Sequence, residues 1–540
     1  MNGERAKSSK RQIRAAVGFA IPYALAQSFG RALYRTNTLS GIFSSAGNSF
    51  RFIAVLLLTF LLTAGAVYLF LRLIEALPER EEKERRFWQS RMAFLPVWAI
   101  IFLCWLPVYL AYYPGVFSYD IITQTAMIME KDISAIIPPL HTFIWKIFLT
   151  LDDATHSRIS AIVCYSVFQM LVFSGALSAA VVFTGRKARS GIWPILTLIF
   201  FALNPVVAMM SFMTTKAVFF SAFFVLAEIL LWDMASDPDK FFRGRGKATC
   251  LILAILVASL FRNNAIFSFL LSLTAVFAFP KGQRRKIIPV FAIPAILYFL
   301  LTTVGFRMMG IRGGGKNEIF PVPYQQIACV VQRHGDELTE TDRERISRFT
   351  DYETLAERYN PRFSDPVKNE FLFHSDNAPE FAKLWLSLGS RYPGDYLDAA
   401  LTLNLPYWYP EANSVDEFAG RDYIETYEGG YGFYWIQSDS KIPELKKIYD
   451  KVADFSAFSG KSIVNYLFSI ACPIWGVALC LAILTASGKK KMKIMFMPQL
   501  FQWLIFVFGP VSNLRYIFPL MLLYPVSFAA AAASAARKTQ

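Results

Sequence analysis

Charge is scarce in this chain. Only 18% of its 540 residues are Asp, Glu, Lys or Arg, where a soluble domain carries about a quarter. Several apolar stretches run about 20 residues with hardly a charge, the length that crosses a hydrocarbon core. That deficit excludes a soluble globular protein and predicts a polytopic integral membrane protein. Cysteine is sparse as well. Cys104, Cys164, Cys250, Cys472 and Cys480 fall in apolar stretches and Cys329 stands apart, so neither a disulfide framework nor a zinc spacing is present. No cleavable signal peptide is legible, because the apolar part near Val17–Ala26 is interrupted by Pro22 and no small-residue cleavage pattern follows. Gly310–Lys316 (GIRGGGK) has the spacing of a phosphate-binding loop, but Asn317 stands where Ser or Thr is required and no strand precedes it. It reads as a linker.

What the chain does have is apolar runs separated by basic loops. Candidate spans lie near 52–74, 93–112, 159–183, 192–211, 216–234, 248–261, 265–280, 287–309, 463–487, 494–511 and 515–535. The net charge of +15 sits mostly in short loops between them, so it sets topology and implies no nucleic-acid partner. The loops Gly185–Gly191, Lys240–Lys247, Lys281–Lys286 and Gly488–Lys493, with the tail at Arg537-Lys538, are purely basic and are expected in the cytoplasm. Ile136–Leu151 is then too short to cross and reads as an amphipathic helix at the outer interface. The expected fold is an all-α bundle of about eleven spans, divided as 1–51 (basic and interfacial), 52–309 (membrane region with a first external loop at 113–158), 310–462 (a mostly helical extracytoplasmic domain) and 463–540 (C-terminal spans). For residues 1–51 two readings stay open. Either Val17–Gly30 adds a membrane segment that returns Lys7, Lys10, Arg11 and Arg14 to the cytoplasm, or the first span enters unusually.

On this topology the unusual polar residues share the outer end. Asp120 and Gln124 follow the span ending at Tyr112, His141 lies on the interfacial helix, and Asn204 and Lys216 flank an outer turn. Arg262, Asn263 and Asn264 tip a short-armed hairpin, and Arg515 with Tyr516 opens the last span. The middle thirds of the spans hold almost no ionisable groups, whereas ion-coupled transporters need polar relays at the midplane. Cations beside one carboxylate suit an anionic lipid headgroup and a general base. Plainer readings accompany each residue: a turn acid for Asp120, a helix anchor for His141, snorkelling for Lys216 and Arg515, capping for the asparagines and for Asp152 and Asp153, and an interfacial aromatic belt for Tyr407-Trp408-Tyr409 and Trp435.

Asp120 in YPGVFSYD, Pro138-Pro139-Leu140 with His141, and Arg158 in THSRIS resemble the GT-C class of membrane glycosyltransferases, which includes protein mannosyltransferases and lipid A aminoarabinose transferases. Over roughly 90–540 the chain is similar to an uncharacterised family of bacterial multi-pass proteins of that architecture. The matching pieces are YPG…D…Q at Tyr113–Gln124, NP…K at Asn204–Lys216, RNN at Arg262–Asn264 and RY…P at Arg515–Pro519. Two features depart from the pattern: Ala217 follows Lys216 where an acid is frequent, and no DxD or ExD pair flanks Asp120.

The resemblance implies an inverting transfer of a sugar from a polyprenyl-phosphate carrier to an envelope polymer or lipid acceptor at the outer face of a bacterial plasma membrane. Asp120 would act on the acceptor, while Lys216, Arg262 and Arg515 would hold the phosphate. Gln124, His141, Asn263, Asn264 and Tyr516 would complete the binding surface. The resemblance makes no cofactor certain and leaves a divalent cation (Mg or Mn) open. The alternatives are a transporter or flippase of a lipid-linked saccharide using the same cavity, and an inactive scaffold on this fold.

Overall fold

The computed structural model describes residues 2–78, 82–117, 119–155, 157, 159–314, 320–373, 375–412, 422–426, 429–431 and 434–535. Arg158, the Gly315–Lys316 end of the GIRGGGK stretch and the basic tail lie outside the described residues. The chain is essentially all-α. Its principal helices are α1 (Asn2–Thr36), α2 (Ala46–Ala76), α3 (Phe94–Ala111), α4 (Ile121–Met129), α5 (Pro139–Thr155), α6 (Ser160–Lys187), α7 (Ile192–Leu203), α8 (Pro205–Met210), α9 (Lys216–Ser236), α10 (Arg245–Phe261), α11 (Ala265–Leu271) and α12 (Lys281–Leu300). After these come α13 (Pro321–His334), α14 (Pro393–Leu403), α15 (Ser462–Phe468), α16 (Cys472–Ala486), α17 (Met497–Val507), α18 (Leu514–Leu522) and α19 (Tyr524–Ala535).

Among the described residues, six helices are long and apolar enough to cross a membrane: Ala46–Ala76, Arg91–Ala111, Ser160–Lys187, Lys216–Ser236, Lys281–Met308 and Leu514–Ser534. The eleven expected spans are thus not matched by eleven full-length helices, and proline explains three of the five shortfalls. The run at 192–211 breaks where Asn204 turns extended and its Oδ1 accepts from Val206 N at 2.9 Å, restarting as α8 with Pro205 in the first turn. Pro473 and Pro498 likewise open α16 and α17, cutting 463–487 and 494–511 into shorter pieces. By contrast α9 has no proline or glycine, is capped by Thr215, and has 83% of its apolar window buried. It is the axis of the bundle, whereas α2, with 6% buried, lies at its edge.

One end of the bundle is defined by the basic loops. Lys187 and Lys247 both pair with Asp233, at 2.5 and 2.6 Å. Arg186 donates to the Trp88 carbonyl, Gln283 to Asp239, and Lys491 to Gln283. All four expected cytoplasmic loops therefore meet at one end. Lys216, on the same helix as Asp233, is about 25 Å away at 1.5 Å rise per residue. Residues 1–51 contain α1, which packs along α2. Ser9 contacts Tyr68 and Phe29 packs on Phe52, so the helices run antiparallel and α1 brings Lys10, Arg11 and Arg14 to the Ala76 end of α2.

The 310–462 segment forms a second core around α13, with Tyr324, Ile327, Ala328 and Cys329 fully buried. Its one sheet among the described residues is a hairpin pairing Gly429–Tyr431 with Tyr434–Ile436. Arg333 fastens this unit to the end of α1, donating to Asp395, Asp398 and the Asn37 carbonyl at 2.7, 2.8 and 3.0 Å. Tyr407 and Tyr409 are no interfacial belt: both are buried, and Tyr407 accepts Trp503 Nε1 on its carbonyl. The six cysteines are free.

Close backbone approaches hold the assembly together. A Cβ on Gly185 would meet the Trp88 ring at 2.4 Å, whereas one on Gly246 would meet nothing within 4 Å. Gly185→Val is expected to cost about 1–3 kcal/mol through overpacking, read as a lower unfolding temperature in detergent, and Gly246→Ala is expected to leave that temperature unchanged or raised. Equal behaviour of the two variants would contradict this packing.

Candidate functional site

The stretch Tyr112–Asp120 is folded against α6 and the turn before α9. Gly115 has φ of +143°, and a Cβ there would meet Ser166 Oγ at 2.8 Å, so both the backbone angle and the space demand glycine. Val116 bridges Met213, and Thr214 Oγ1 donates to the Val116 carbonyl at 2.6 Å. This tie places the Asp120 loop beside Thr215, the cap that begins α9 at Lys216. Tyr119 then takes a left-handed φ of 57°, an uncommon conformation for an aromatic residue.

Asp120 stands at the start of α4 but makes no capping bond. Its carboxylate is ion-paired with Lys216 Nζ through one oxygen and lies 3.3 Å from Arg515 Nη1 through the other. The three side chains are only 23%, 15% and 11% exposed. Burial by itself would raise the Asp120 pKa, but the charges of Arg515 and Lys216 outweigh it and hold the carboxyl well below the usual carboxylate range.

Arg515 reaches this position because Asn513 caps α18, accepting from Arg515 N at 3.0 Å, while Tyr407 Oη accepts from Asn513 N at 3.0 Å. Its guanidinium lies 4.8 Å from the Tyr119 ring and 5.1 Å from the Tyr516 ring. Arg262, at the end of α10, lies 4.3 Å from the same Tyr516 ring and 4.6 Å from Phe506. One tyrosine therefore carries two guanidinium groups, and the Nε atoms of both arginines are buried without a hydrogen-bond partner. Two cations contact the Asp120 carboxylate, and a third, Arg262, stands beside them on the Tyr516 ring. Glu425, from the 310–462 segment, adds its field to Arg515 and donates its N–H to Tyr119 Oη at 3.1 Å. Taking a cluster with excess positive charge out of water is costly, and an anion relieves that cost.

The other expected site residues stand one layer back. His141 is 1% exposed, with Nδ1 2.8 Å from the Gln124 side-chain amide and Nε2 2.6 Å from Tyr165 Oη. Gln169 Nε2 donates to the Ser211 and Met213 carbonyls, which leaves its Oε1 to accept from Tyr165. Tyr165 must then accept from His141 Nε2–H. Burial pushes the His141 pKa down to about 3, with Lys216 adding to the effect and Asp120 opposing it, so the ring is neutral. A bare Nδ1 requires the Gln124 amide to present its NH2, which an exchange of isosteric O and N supplies without moving an atom. The network braces the turn at 211–215 that positions Lys216. Asn263 Nδ2 donates to the Ala135 carbonyl at 3.4 Å, and Asn264 Oδ1 accepts from Gln502. Of the RNN triplet only Arg262 joins the cation cluster. Asn204 caps α8, and Asp152 caps the start of α6 by accepting from Ala161 N.

Among the described residues no group of three His, Cys, Asp or Glu side chains is placed to hold a metal ion. Asp120 offers one carboxylate already flanked by two cations, a donor set that fits a divalent cation poorly. Three participants escaped sequence reasoning: Tyr119, Tyr407 and Glu425. Tyr119 lay inside the quoted stretch, but nothing marks its left-handed turn. Tyr407 looked like an ordinary aromatic, and Glu425 carries no local motif.

Residues 140–540 match a family of unknown function (DUF6020), and the chain belongs to it. No curated protein and no solved structure matches the chain. The matched stretch contains His141, Lys216, Arg262 and Arg515, begins after Asp120, and carries no activity with it.

The buried neutral His141 makes stability pH-dependent. The unfolded chain takes up a proton below about pH 6.5, while the folded ring resists until about 3. Its contribution is therefore intact above about pH 6.5 and is lost as the pH falls, at up to about 1.4 kcal/mol per pH unit. Unfolding temperatures measured from neutral to acidic pH are expected to fall less steeply for His141→Asn than for the parent protein. Parallel curves would show that His141 is not held neutral.

Proposed function

We propose that this family member is a GT-C-type membrane glycosyltransferase. It moves a sugar, with inversion, from a polyprenyl-phosphate carrier to an envelope polymer or lipid acceptor at the outer face of a bacterial plasma membrane. The observation that carries this reading is the surplus of buried cations around Asp120, at the bundle end opposite the basic loops. On the positive-inside assignment that end, with the 310–462 domain over it, is extracytoplasmic. The shorter helices around the six long ones would complete about eleven crossings, as paired or re-entrant pieces protected by their neighbours.

The chemistry follows from the charge balance. In the resting site Asp120 is a weak base, because Lys216 and Arg515 stabilise its ionised form. A phosphodiester entering the cluster competes for those cations, and Arg262 and the two orphaned Nε donors offer further contacts. As the cations turn toward the phosphate, Asp120 recovers basicity and can accept the acceptor's proton. The acceptor oxygen forms its bond to the anomeric carbon while the bond from that carbon to the phosphate oxygen breaks. The negative charge that grows on the departing polyprenyl phosphate is met by Arg515, Arg262 and Lys216. Tyr516 holds the two guanidinium groups at one spacing throughout.

The second reading, a flippase of a lipid-linked saccharide, draws support from one place. Glu228, fully buried on α9, accepts from Gln499, which in turn accepts from Ser527, and a buried carboxyl in a span is a usual mark of transport.

Reconstituted protein supplied with a polyprenyl-phosphate sugar separates the two. Asp120→Asn is expected to lose transfer by roughly 100-fold or more while still binding donor, and Arg515→Ala to lose donor binding as well. Undiminished transfer by Asp120→Asn would sink the enzymatic reading. Saccharide that crosses the membrane chemically unchanged, with loss on Glu228→Gln, would favour the flippase.

A further inference from the structure

A large apolar cavity lies away from the cation cluster. It encloses about 930 Å³ between the α1–α2 pair on one side and α7, α15, α16 and α19 on the other. Its walls are almost wholly apolar: Phe19, Val67, Phe200, Leu479 and Phe528 are typical. The polar side chains on it are largely committed elsewhere, as Asn204 is to capping α8 and Tyr466 to Glu411. An occupant would find few hydrogen bonds to make.

Two features decide what fits. The rim residues Ala66, Ile463 and Leu467 are exposed, and the last two are 79% and 64% exposed. The adjoining surface of α2 is equally apolar, with Leu57, Leu58, Leu61 and Leu62 all more than half exposed. Because α2 and the 514–534 helix are two of the six apolar enough to cross a membrane, this opening faces hydrocarbon, and what can enter sideways is a lipid chain. The cavity also keeps its width against the packing around it. A Cβ on Gly476 would meet the Tyr524 ring at 2.7 Å, so glycine lets Tyr524 lie back against α16.

We infer that this cavity is a binding site for one long hydrocarbon chain of a membrane lipid, prenyl or acyl, which enters between α2 and α15 and lies between the α1–α2 pair and the rest of the bundle. The site stands independently of the proposed sugar transfer. One contact path nevertheless links the two regions. Phe468, on the cavity wall, accepts on its carbonyl from Tyr423 Oη at 2.7 Å, and Tyr423 lies two residues before Glu425, whose N–H binds Tyr119 beneath Arg515.

The test uses the full chain in nanodiscs of phosphatidylglycerol doped with either a diazirine-bearing phosphatidylglycerol or a diazirine-bearing prenyl phosphate. Irradiation is expected to label interior wall residues such as Phe19, Val67 and Cys472, in addition to the lipid-facing Leu57 and Leu61 that any membrane protein would yield. Ala66→Trp places an indole at the exposed rim, where it need not displace packed neighbours, and should cut interior labelling at least fivefold while leaving Leu57 and Leu61 unchanged. Arg515→Ala should leave interior labelling at the parental level, so a failed phosphate site and a failed chain site give different results. The probe that labels the interior distinguishes a prenyl from an acyl occupant. Labelling confined to Leu57 and Leu61 with both probes would overturn the inference. So would interior labelling that Ala66→Trp and a second rim variant, Leu467→Trp, both leave untouched.

Discussion

A carboxylate shared between two cations, with a third cation held close by through an aromatic ring, is the constraint on which the architecture turns. Asp120, Lys216 and Arg515 come from three distant parts of the chain, and none could stay charged at low exposure without the others. Much of the surrounding structure can be read as the means of bringing them together. The Val116–Met213 bridge joins two of the loops, the His141–Tyr165–Gln169 strut fixes the turn between them, and Tyr407 steadies the start of α18 from the far side.

The arrangement also separates functions along the bundle axis. At one end, basic loops converge on Asp233 and Gln283 in pairs that are partly exposed, where solvent screening makes each pair worth little. On the positive-inside expectation their role would be orientation. Around Asp120 the charges are more buried and the named cations outnumber the carboxylates, an imbalance that under the proposed function would serve to grip an anion. Between the two ends α9 runs without a break, so the spacing of the ends is fixed by one rigid rod.

Much of this was legible in the sequence, because the forces involved leave compositional marks. Scarce charge and long apolar runs announce a membrane bundle, and basic loops sort its ends. Asp120, Lys216 and Arg515 stood out because ionisable residues beside apolar spans are rare. The number of full-length spans was less legible. The 192–211 and 463–487 runs are apolar enough to cross, but a proline after a capping or turning residue restarts the helix, and hydropathy is blind to that. His141 and Gln124 were visible as polar residues, yet only coordinates show their atoms spent on Thr142 and Tyr165 instead of facing the cluster. Glu425 and Tyr407 were beyond sequence reasoning altogether, because their place depends on how the 310–462 segment folds back over α18.

The central claim is that the Asp120 cluster has positive charge to spare. A structure determined with a heavy oxyanion that mimics phosphate, such as tungstate, tests it most directly. The account predicts density bridging the guanidinium groups of Arg515 and Arg262 near Lys216, with Asp120 drawn away from at least one of its two cations. An empty cluster at saturating tungstate, with both Asp120 ion pairs intact, would contradict it.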